Sequence, residues 1–241
     1  TWVRQFRPAK IYAARTEAAV PRGDLAEQLE KHSFLALDAG QMQLSIPAGS
    51  WDVPEHLIVP AGYSLHVAAG ATLNFAADAA LVSYGSVQFS GEAGTPIVMQ
   101  SLGNGMNWPG LIVSEAPGRS VLRHVVVRDT RGVSVDDWSL TGGVNFYMSD
   151  VDIVDCELLD SHGEDALNIV HSNFAISGMV IQRTASDAFD ADFAVGVVTD
   201  SRFVDIGTAG GGDAVDVSGS QITVQASEFR GVSDKALSVG E

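Results

Sequence analysis

In the last third of the chain, apolar and polar residues alternate in short runs that recur at a nearly fixed interval. The recurring phrase is an acidic residue, then alanine, then a large apolar residue, as in GEDALNI, SDAFDAD, GDAVDVS and DKALSVG. The large apolar residues serve as markers of the repeat, and they are Val144, Leu167, Phe189, Val215 and Leu237. Successive markers are 23, 22, 26 and 22 residues apart, and the long interval contains a TAGGG insertion at 208–212. The repeating unit is therefore about 22 residues long.

Each unit contains three short runs that predict strands. Apolar residues recur at the marker and at two, seven, nine, twelve and fourteen positions after it. Alternation with a period of two is typical of β-strands, and the runs are too short for helices. Three strands per unit, with equivalent residues stacked from unit to unit, predict an all-β parallel β-helix whose coils lie about 4.8 Å apart.

The first 42 residues have a different pattern. Asp24 followed by Glu27 indicates a helix N-cap, and Leu25, Leu29 and Phe34 form an apolar stripe, so we expect a short helix that caps the first coil. From residue 43 the pattern is that of strands, and no linker interrupts it. We therefore predict an N-terminal segment, 1–42, and a β-helix, 43–241, within one domain. The last coil is incomplete at Glu241, so we expect the native polypeptide to continue.

Composition restricts the partners. The chain has 14 Lys and Arg residues against 30 Asp and Glu residues, a net charge of −16. Such a surface argues against nucleic acid and anionic membranes, and it suits a cation or a neutral polymer. No apolar run is long enough to span a membrane, so we expect no membrane insertion. The single cysteine, Cys156, falls on an inward position and is expected to be a small core residue.

Three stretches resemble a known superfamily. IVPAGYSLHVAAGATLNF, NWPGLIV and the series DALNI, DAFDAD, DAVDVSGS are similar to the right-handed parallel β-helix, or pectin-lyase-like, superfamily over roughly residues 43–241. This resemblance implies a right-handed coil and a bacterial extracytoplasmic protein, secreted or held in the cell envelope. Because the same scaffold supports many unrelated activities, it leaves the activity open.

Polar side chains recur at fixed positions beside the markers and form the candidate site. Two residues before the markers stand Asp165, Asp187, Asp213 and Lys235, and one residue after them stand Asn168, Asp190 and Asp216. Asp192 is three residues after its marker. We expect these side chains to line one open strip of surface at the coil spacing. Carboxylates about 5 Å apart repel each other, and their charge must be compensated by a cation, backbone N–H groups, a lysine or a raised pKa.

Three interpretations of this strip remain open. In the first, each aspartate before a marker caps its own turn by accepting backbone N–H groups. In the second, a calcium ion binds to carboxylates, the candidate ligands being Asp187, Asp190, Asp192, Asp213 and Asp216. In the third, two carboxyl groups cleave a glycosidic bond; neighbouring coils suit a retaining mechanism, and alternate coils, as with Asp165 and Asp213, suit inversion.

Catalytic candidates are refined by a second resemblance. SDA, GDA and DKALSVG are similar to three successive motifs of polygalacturonase-like hydrolases, which implies catalytic roles for Asp187 and Asp213. The chain departs from that pattern because the second motif has one aspartate and Lys235 replaces a histidine. A lyase would instead require a base of lowered pKa, for which Lys235 is the candidate.

Neighbouring side chains complete the predicted site. Tyr147 and His171 are candidates for contact with a sugar, together with Asn168, Asp190 and Asp216. We therefore predict a protein that binds or processes a polysaccharide along this strip, with calcium as a candidate cofactor. The alternative is a non-catalytic structural or adhesion scaffold whose aspartates hold its turns.

Overall fold

Three parallel β-sheets enclose an apolar interior in the computed structural model, which describes residues 23–103, 105–135 and 138–240. Each coil contributes one strand to each sheet in turn. About eight coils are stacked, with about 23 residues in each. The predicted all-β parallel β-helix is confirmed.

The sheets are numbered here in the order in which the chain passes through them after a marker. Sheet 1 contains the marker strands: Leu57–Val59, Leu81–Ser83, Leu111–Ser114, Gly142–Tyr147, Asp165–Val170, Asp187–Asp192, Val215–Ser218 and Ser238–Gly240. Sheet 2 contains Gln43–Ile46, Ser64–Ala68, Val87–Ser90, Ser120–Arg123, Val151–Val154, Asn173–Ser177, Val195–Thr199 and Gln221–Gln225. Sheet 3 contains Gly49–Val53, Ala71–Phe75, Ile97–Ser101, Val125–Arg128, Glu157–Leu159, Val180–Gln182, Arg202–Ile206 and Glu228–Val232.

Strand pairing places the repeated phrases directly over one another. The markers pair in a single series, Val144, Leu167, Phe189 and Val215. Positions seven and nine residues after the markers pair in the same way. So do the positions fourteen residues after them. The predicted stacking of equivalent residues is confirmed.

Inward side chains fill the interior of the solenoid. Phe174 and Phe189 meet edge to face, with their ring centroids 5.4 Å apart. A Cβ atom at Gly196 would lie 2.6 Å from the Phe174 ring, so glycine leaves the space that this ring occupies. Cys156 is buried, and burial raises the pKa of its thiol to about 12. Its predicted place in the core is therefore confirmed.

A short helix covers the N-terminal coil. This helix, α1 (Leu25–Lys31), has Asp24 as its N-cap, whose side chain accepts hydrogen bonds from two backbone N–H groups of the first turn. Leu25 and Leu29 pack against the core, as the apolar stripe predicts. The strand Ala36–Asp38 then pairs antiparallel with the first strand of sheet 2. None of the described residues forms a helix that is long and apolar enough to cross a membrane.

An antiparallel hairpin is inserted where the chain passes from sheet 3 to sheet 1. Its strands are Val133–Val135 and Trp138–Leu140. Val133 is buried in a second apolar cluster, outside the solenoid, together with the outward-facing sheet 1 residues Ile58, Val82 and Ile112. The hairpin therefore covers the outer face of sheet 1 in the N-terminal half of the solenoid.

Candidate functional site

The outer face of sheet 1 carries one unbroken column of residues, each one position after a marker or after Leu57, Leu81 or Leu111, which align with the markers. Strand register aligns Ile58, Val82, Ile112, Asn145, Asn168, Asp190, Asp216 and Ser238. We call this set the outward column. Its side chains are apolar in the first three coils, amides in the next two, carboxyl groups in the following two and a hydroxyl in the last. Position along the solenoid axis therefore determines the chemistry of this face.

The middle of the outward column is covered. Asn145 is 1% exposed, Asn168 is 7% exposed, and Asp165, in the same strand as Asn168, is 3% exposed. Thr141, directly after the hairpin, lies against them, and its hydroxyl accepts a hydrogen bond from the Asn168 amide at 3.1 Å. The expectation of an open strip is wrong for Asp165 and Asn168, because Thr141, which follows the hairpin on the preceding coil, lies against both side chains. It is also wrong for Asp213, which is 7% exposed.

A hydrogen-bond network connects the covered part of the column to its open end. Asn168 Nδ2 donates to Asp165 Oδ2 at 3.2 Å and to Asp190 Oδ2 at 3.3 Å. Asp190 is only partly buried, and it is the first carboxyl group of the outward column beyond the covered section. One amide group thus links a buried carboxyl group to one that solvent reaches.

Burial and mutual repulsion raise the pKa values of two of these carboxyl groups. Burial, followed by the charges of Asp165, Asp192 and other aspartates, raises the pKa of Asp190 to about 7. Burial also raises the pKa of Asp165 to about 6, although hydrogen bonds from Thr141 and Asn168 oppose this shift. At neutral pH, Asp190 therefore exists as a mixture of protonated and ionised forms, as a group that exchanges protons with a substrate requires.

Two further carboxyl groups lie at the open end of the column. Asp216 pairs in register with Asp190, and Asp192 pairs with Ser218 on the same two strands. Burial, followed by the charge of Asp216, raises the pKa of Asp192. We call Asp190, Asp192 and Asp216 the acidic patch. All three are partly exposed.

The aspartates two positions before the markers link successive coils. Asp187 Oδ1 accepts the backbone N–H of Asp213 at 2.8 Å, and Asp213 Oδ1 accepts the backbone N–H of Lys235 at 2.8 Å. We expected each aspartate to accept backbone N–H groups of its own turn. That expectation is wrong, because the N–H donor belongs to the next coil. Burial raises the pKa of Asp187, and its hydrogen bond from Asp213 opposes that rise.

Lys235 is an ion-pair partner in this structure. Its Nζ lies 3.1 Å from both carboxyl oxygens of Asp213 and 2.5 Å from Asp234. These contacts, with that to Asp234 the larger, raise the pKa of Lys235 to about 12. Burial acts to raise the pKa of Asp213, but the hydrogen bonds and charge of Lys235 outweigh it and lower that pKa. The base of a lyase needs a lowered pKa, so the raised pKa of Lys235 does not suit that role.

Aromatic side chains lie beside the acidic patch. The His171 ring stacks on the Phe193 ring with centroids 4.9 Å apart, and it meets the Tyr147 ring edge-on at 6.4 Å. Phe193 is 60% exposed. It is absent from the predicted site, although it stands four residues after its marker, as His171 does. The recurrence of that position was the signal that could have identified it.

The predicted calcium ligands share this face but do not form a recognisable metal centre. In the described part of the chain, no three His, Cys, Asp or Glu side chains are arranged to hold a metal ion. Asp187 and Asp213 direct oxygens at backbone N–H groups, which compete with a cation for those oxygens. Calcium binding stays a prediction, and no step of the proposed chemistry depends on it.

The fold and the site define the class of this protein. It is a parallel β-helix, in which three sheets enclose the core, with an acidic patch on the outer face of sheet 1. No protein-family model and no curated protein matches the chain. Among solved structures, the chain is similar to the A-module of a mannuronan C-5 epimerase from Azotobacter vinelandii, with 17% sequence identity and a TM-score of 0.28. The match covers 83% of this chain and 62% of that one.

Proposed function

We propose that this protein is an extracytoplasmic enzyme, secreted or held in the cell envelope, that binds and cleaves a polysaccharide at the acidic patch. Asp190 acts as the proton donor, and Asp216 acts as the nucleophile beside it. The observation that carries this proposal is the position of Asp190, which is partly exposed, with a pKa raised to about 7, in a column of stacked carboxyl groups.

Register supports the choice of Asp216 as the partner of Asp190. The two residues are paired on adjacent parallel strands, which lie about 4.8 Å apart. In retaining glycosidases the two carboxyl groups are about 5–5.5 Å apart. Asp216 would attack the anomeric carbon while Asp190 protonates the departing glycosidic oxygen. Asp190 would then deprotonate the water that releases the sugar from Asp216.

The other aspartates have supporting roles in this proposal. Asp165 is too deeply buried to touch a polymer, and it acts on Asp190 through the shared Asn168 amide. Asp187 and Asp213 bind backbone N–H groups of the next coil and so fix the strands that carry Asp190 and Asp216. The predicted polysaccharide partner is retained, with contacts from the acidic patch and from the neighbouring aromatic side chains.

Substitution of Asp190 by asparagine tests the proposal. Asp190→Asn removes the transferable proton, so we expect the release of reducing ends from a susceptible polysaccharide to fall by about 10²–10⁴-fold. The melting temperature should not fall, because the change also removes a charge from a repulsive cluster. Asp200→Asn, at an exposed turn, is the matched control and should retain wild-type activity. Unchanged cleavage by Asp190→Asn, or no cleavage of any polymer in a broad panel, contradicts the proposal.

A second candidate is the non-catalytic scaffold. It is favoured by the backbone hydrogen bonds of Asp187 and Asp213, which would be needed in any protein that uses the solenoid only as a rigid support. It does not account for the raised pKa of Asp190, whose carboxyl group accepts one long hydrogen bond from Asn168. The two candidates predict different results for Asp190→Asn. The substitution should have no effect on the function of a scaffold, whereas it should remove most of the cleavage activity of the proposed enzyme.

A further inference from the structure

Asn168 is the buried amide of the outward column that contacts the acidic patch. It is 7% exposed and pairs in register with Asp190 on the next coil. Its Nδ2 donates to Asp190 Oδ2 at 3.3 Å, to Asp165 Oδ2 at 3.2 Å and to Thr141 Oγ1 at 3.1 Å. These contacts require the amide nitrogen to face the carboxyl groups, since an amide oxygen in the same place would repel them. A buried side chain of fixed orientation therefore holds the proposed proton donor.

The amide on the preceding coil has different partners. Asn145 Nδ2 donates to two backbone carbonyl oxygens, those of Leu111 and Gly142. An asparagine amide has two N–H groups, so both groups of Asn145 are used on the backbone. The two N–H groups of Asn168 instead serve three side-chain acceptors. A hydrogen bond to an ionised acceptor is stronger than one to a neutral acceptor, so a shared donor follows the charge.

The contact with Asn168 distinguishes the two oxygens of Asp190. A protonated carboxyl group has one carbonyl oxygen, which accepts hydrogen bonds, and one hydroxyl oxygen, which carries the proton. Because the Asn168 N–H points at Oδ2, Oδ2 is the carbonyl oxygen and the proton resides on Oδ1. In the described part of the chain, Asn168 supplies the one hydrogen bond to this carboxyl group, which leaves Oδ1 available to a substrate.

We propose that Asn168 is a positioning residue that places the transferable proton of Asp190 on Oδ1 and stabilises the carboxylate formed when that proton leaves. This inference rests on the proposed function and adds a residue to its mechanism. The Oδ1–H bond breaks, the proton passes to the glycosidic oxygen, and the bonding electrons remain on Asp190. The Asn168 N–H then donates to a charged carboxylate, and such a hydrogen bond is about twice as strong as a neutral one.

The charged groups that face Asp190 give this hydrogen bond its importance. Asp187 and Asp192 lie on the same strand, Asp165 lies on one neighbouring strand, and Asp216 lies on the other. All four are acidic and disfavour the ionised form of Asp190. The buried amide opposes them, and it does so most strongly after the proton has left.

Titration of the Asn168 side chain in the unmodified protein tests this link without an assay of activity. The ¹H and ¹⁵N chemical shifts of its amide should change with the same midpoint as the Asp190 carboxyl group, about 7, and this step should be absent in Asp190→Asn. A step due to Asp165, which also accepts from Asn168, should persist in that variant. The Asn145 amide is the internal control and should not follow Asp190. Absence of the Asp190 step from the Asn168 amide overturns the proposal.

Two substitutions remove the donor. Asn168→Leu has a similar volume, and Asn168→Ala removes the same N–H groups if leucine prevents folding. Each should raise the Asp190 midpoint and the alkaline limb of the pH–rate profile by about one pH unit, because the carboxylate loses its donor. The maximal kcat for polysaccharide cleavage should fall by about tenfold. Asn145→Leu is the matched control, and it should leave the midpoint and the profile unchanged whatever it costs in stability.

The outcomes separate the role of Asn168 from the proposed function. An unchanged Asp190 midpoint and pH–rate profile in Asn168→Leu, together with an inactive Asp190→Asn, overturns the role of Asn168 and leaves that of Asp190 standing. Equal shifts in Asn168→Leu and Asn145→Leu indicate a general structural effect and also overturn it. Absence of cleavage by the wild-type protein overturns the proposed function and the catalytic role of Asn168 with it. A raised midpoint and a shifted profile in the Asn168 variants alone support the proposal.

Discussion

Asp165, Asp187 and Asp213 occupy equivalent positions on three successive coils, yet their surroundings differ. The carboxyl groups of Asp165 and Asp187 have raised pKa values because burial disfavours their ionised forms. Asp213 has a lowered pKa because Lys235 supplies both hydrogen bonds and positive charge. Repetition of a residue type therefore does not repeat its chemistry, since the next coil decides which partner it meets.

Replacement of Asp213 should destabilise the fold. Asp213→Ala leaves the Lys235 backbone N–H without its acceptor and removes the buried ion-pair partner of Lys235. We expect a loss of about 1–3 kcal/mol in the free energy of unfolding, measured by denaturant titration at pH 7. Asp234→Ala, which removes an exposed contact to the same lysine, is the control and should cost much less.

The effect of Asp213 should depend on pH in a defined direction. Because its pKa is lower in the folded chain than in the unfolded one, Asp213 stabilises the fold above the unfolded value near 4, and this contribution is lost as the pH falls through the folded value. The difference between wild type and Asp213→Ala should therefore shrink below about pH 4. Equal stability of the two proteins at pH 7 would show that Asp213 does not hold the coils together.

The sequence predicts the positions of individual side chains better than their exposure. Spacing alone brought Asn168, Asp190 and Asp216 into one column, because a repeat of nearly constant length fixes the register. Burial of Asp165 and Asn168 depends instead on Thr141 and the hairpin before it, which break the period. A periodic pattern contains no information about where an inserted segment folds back.

At the scale of elements, the inserted hairpin determines which part of the outward column is available to a ligand. It packs on Ile58, Val82 and Ile112, which would otherwise be exposed apolar residues on the outer face of sheet 1. Beyond the hairpin the column is polar, and it needs no apolar cover. The hairpin therefore packs on the section of the outward column whose side chains are apolar.

Truncation of Val133 should weaken this cover. Val133 is buried in the outer apolar cluster, so Val133→Ala leaves a small cavity, and we expect a loss of about 1–3 kcal/mol in the free energy of unfolding. The control is Val121→Ala, at an outward, partly exposed position on sheet 2. Circular dichroism during urea unfolding measures both changes. A cost for Val133→Ala no larger than that for Val121→Ala would mean that the hairpin is not a packed part of the fold.

At the scale of the whole molecule, stacking of coils converts a sequence repeat into a surface with a chemical gradient. Residues more than twenty positions apart in the chain become neighbours about 4.8 Å apart. The carboxyl groups at one end of the outward column are then forced together, in a chain that already carries a charge of −16. Part of this repulsion is relieved because Asp190, with a pKa of about 7, is partly protonated at neutral pH.

The fold was predictable at this scale because its information is redundant. Markers, strand positions and turns all recur with one period, so each coil repeats the evidence of the others. The candidate site is defined by single departures from the repeat, such as the hairpin that precedes Thr141. Such departures have no second copy in the chain, and their surroundings become apparent only when the coils are assembled.

A direct test of this account is the titration of Asp190. With ¹³C-labelled aspartate and Asp190→Asn to assign the resonance, the carboxyl chemical shift of Asp190 can be followed from pH 3 to pH 9. Titration with a midpoint of about 7 is expected, because burial and stacked carboxylates disfavour the ionised form. A midpoint near the ordinary value of about 4 would contradict the account, since Asp190 would then hold no proton to donate at neutral pH.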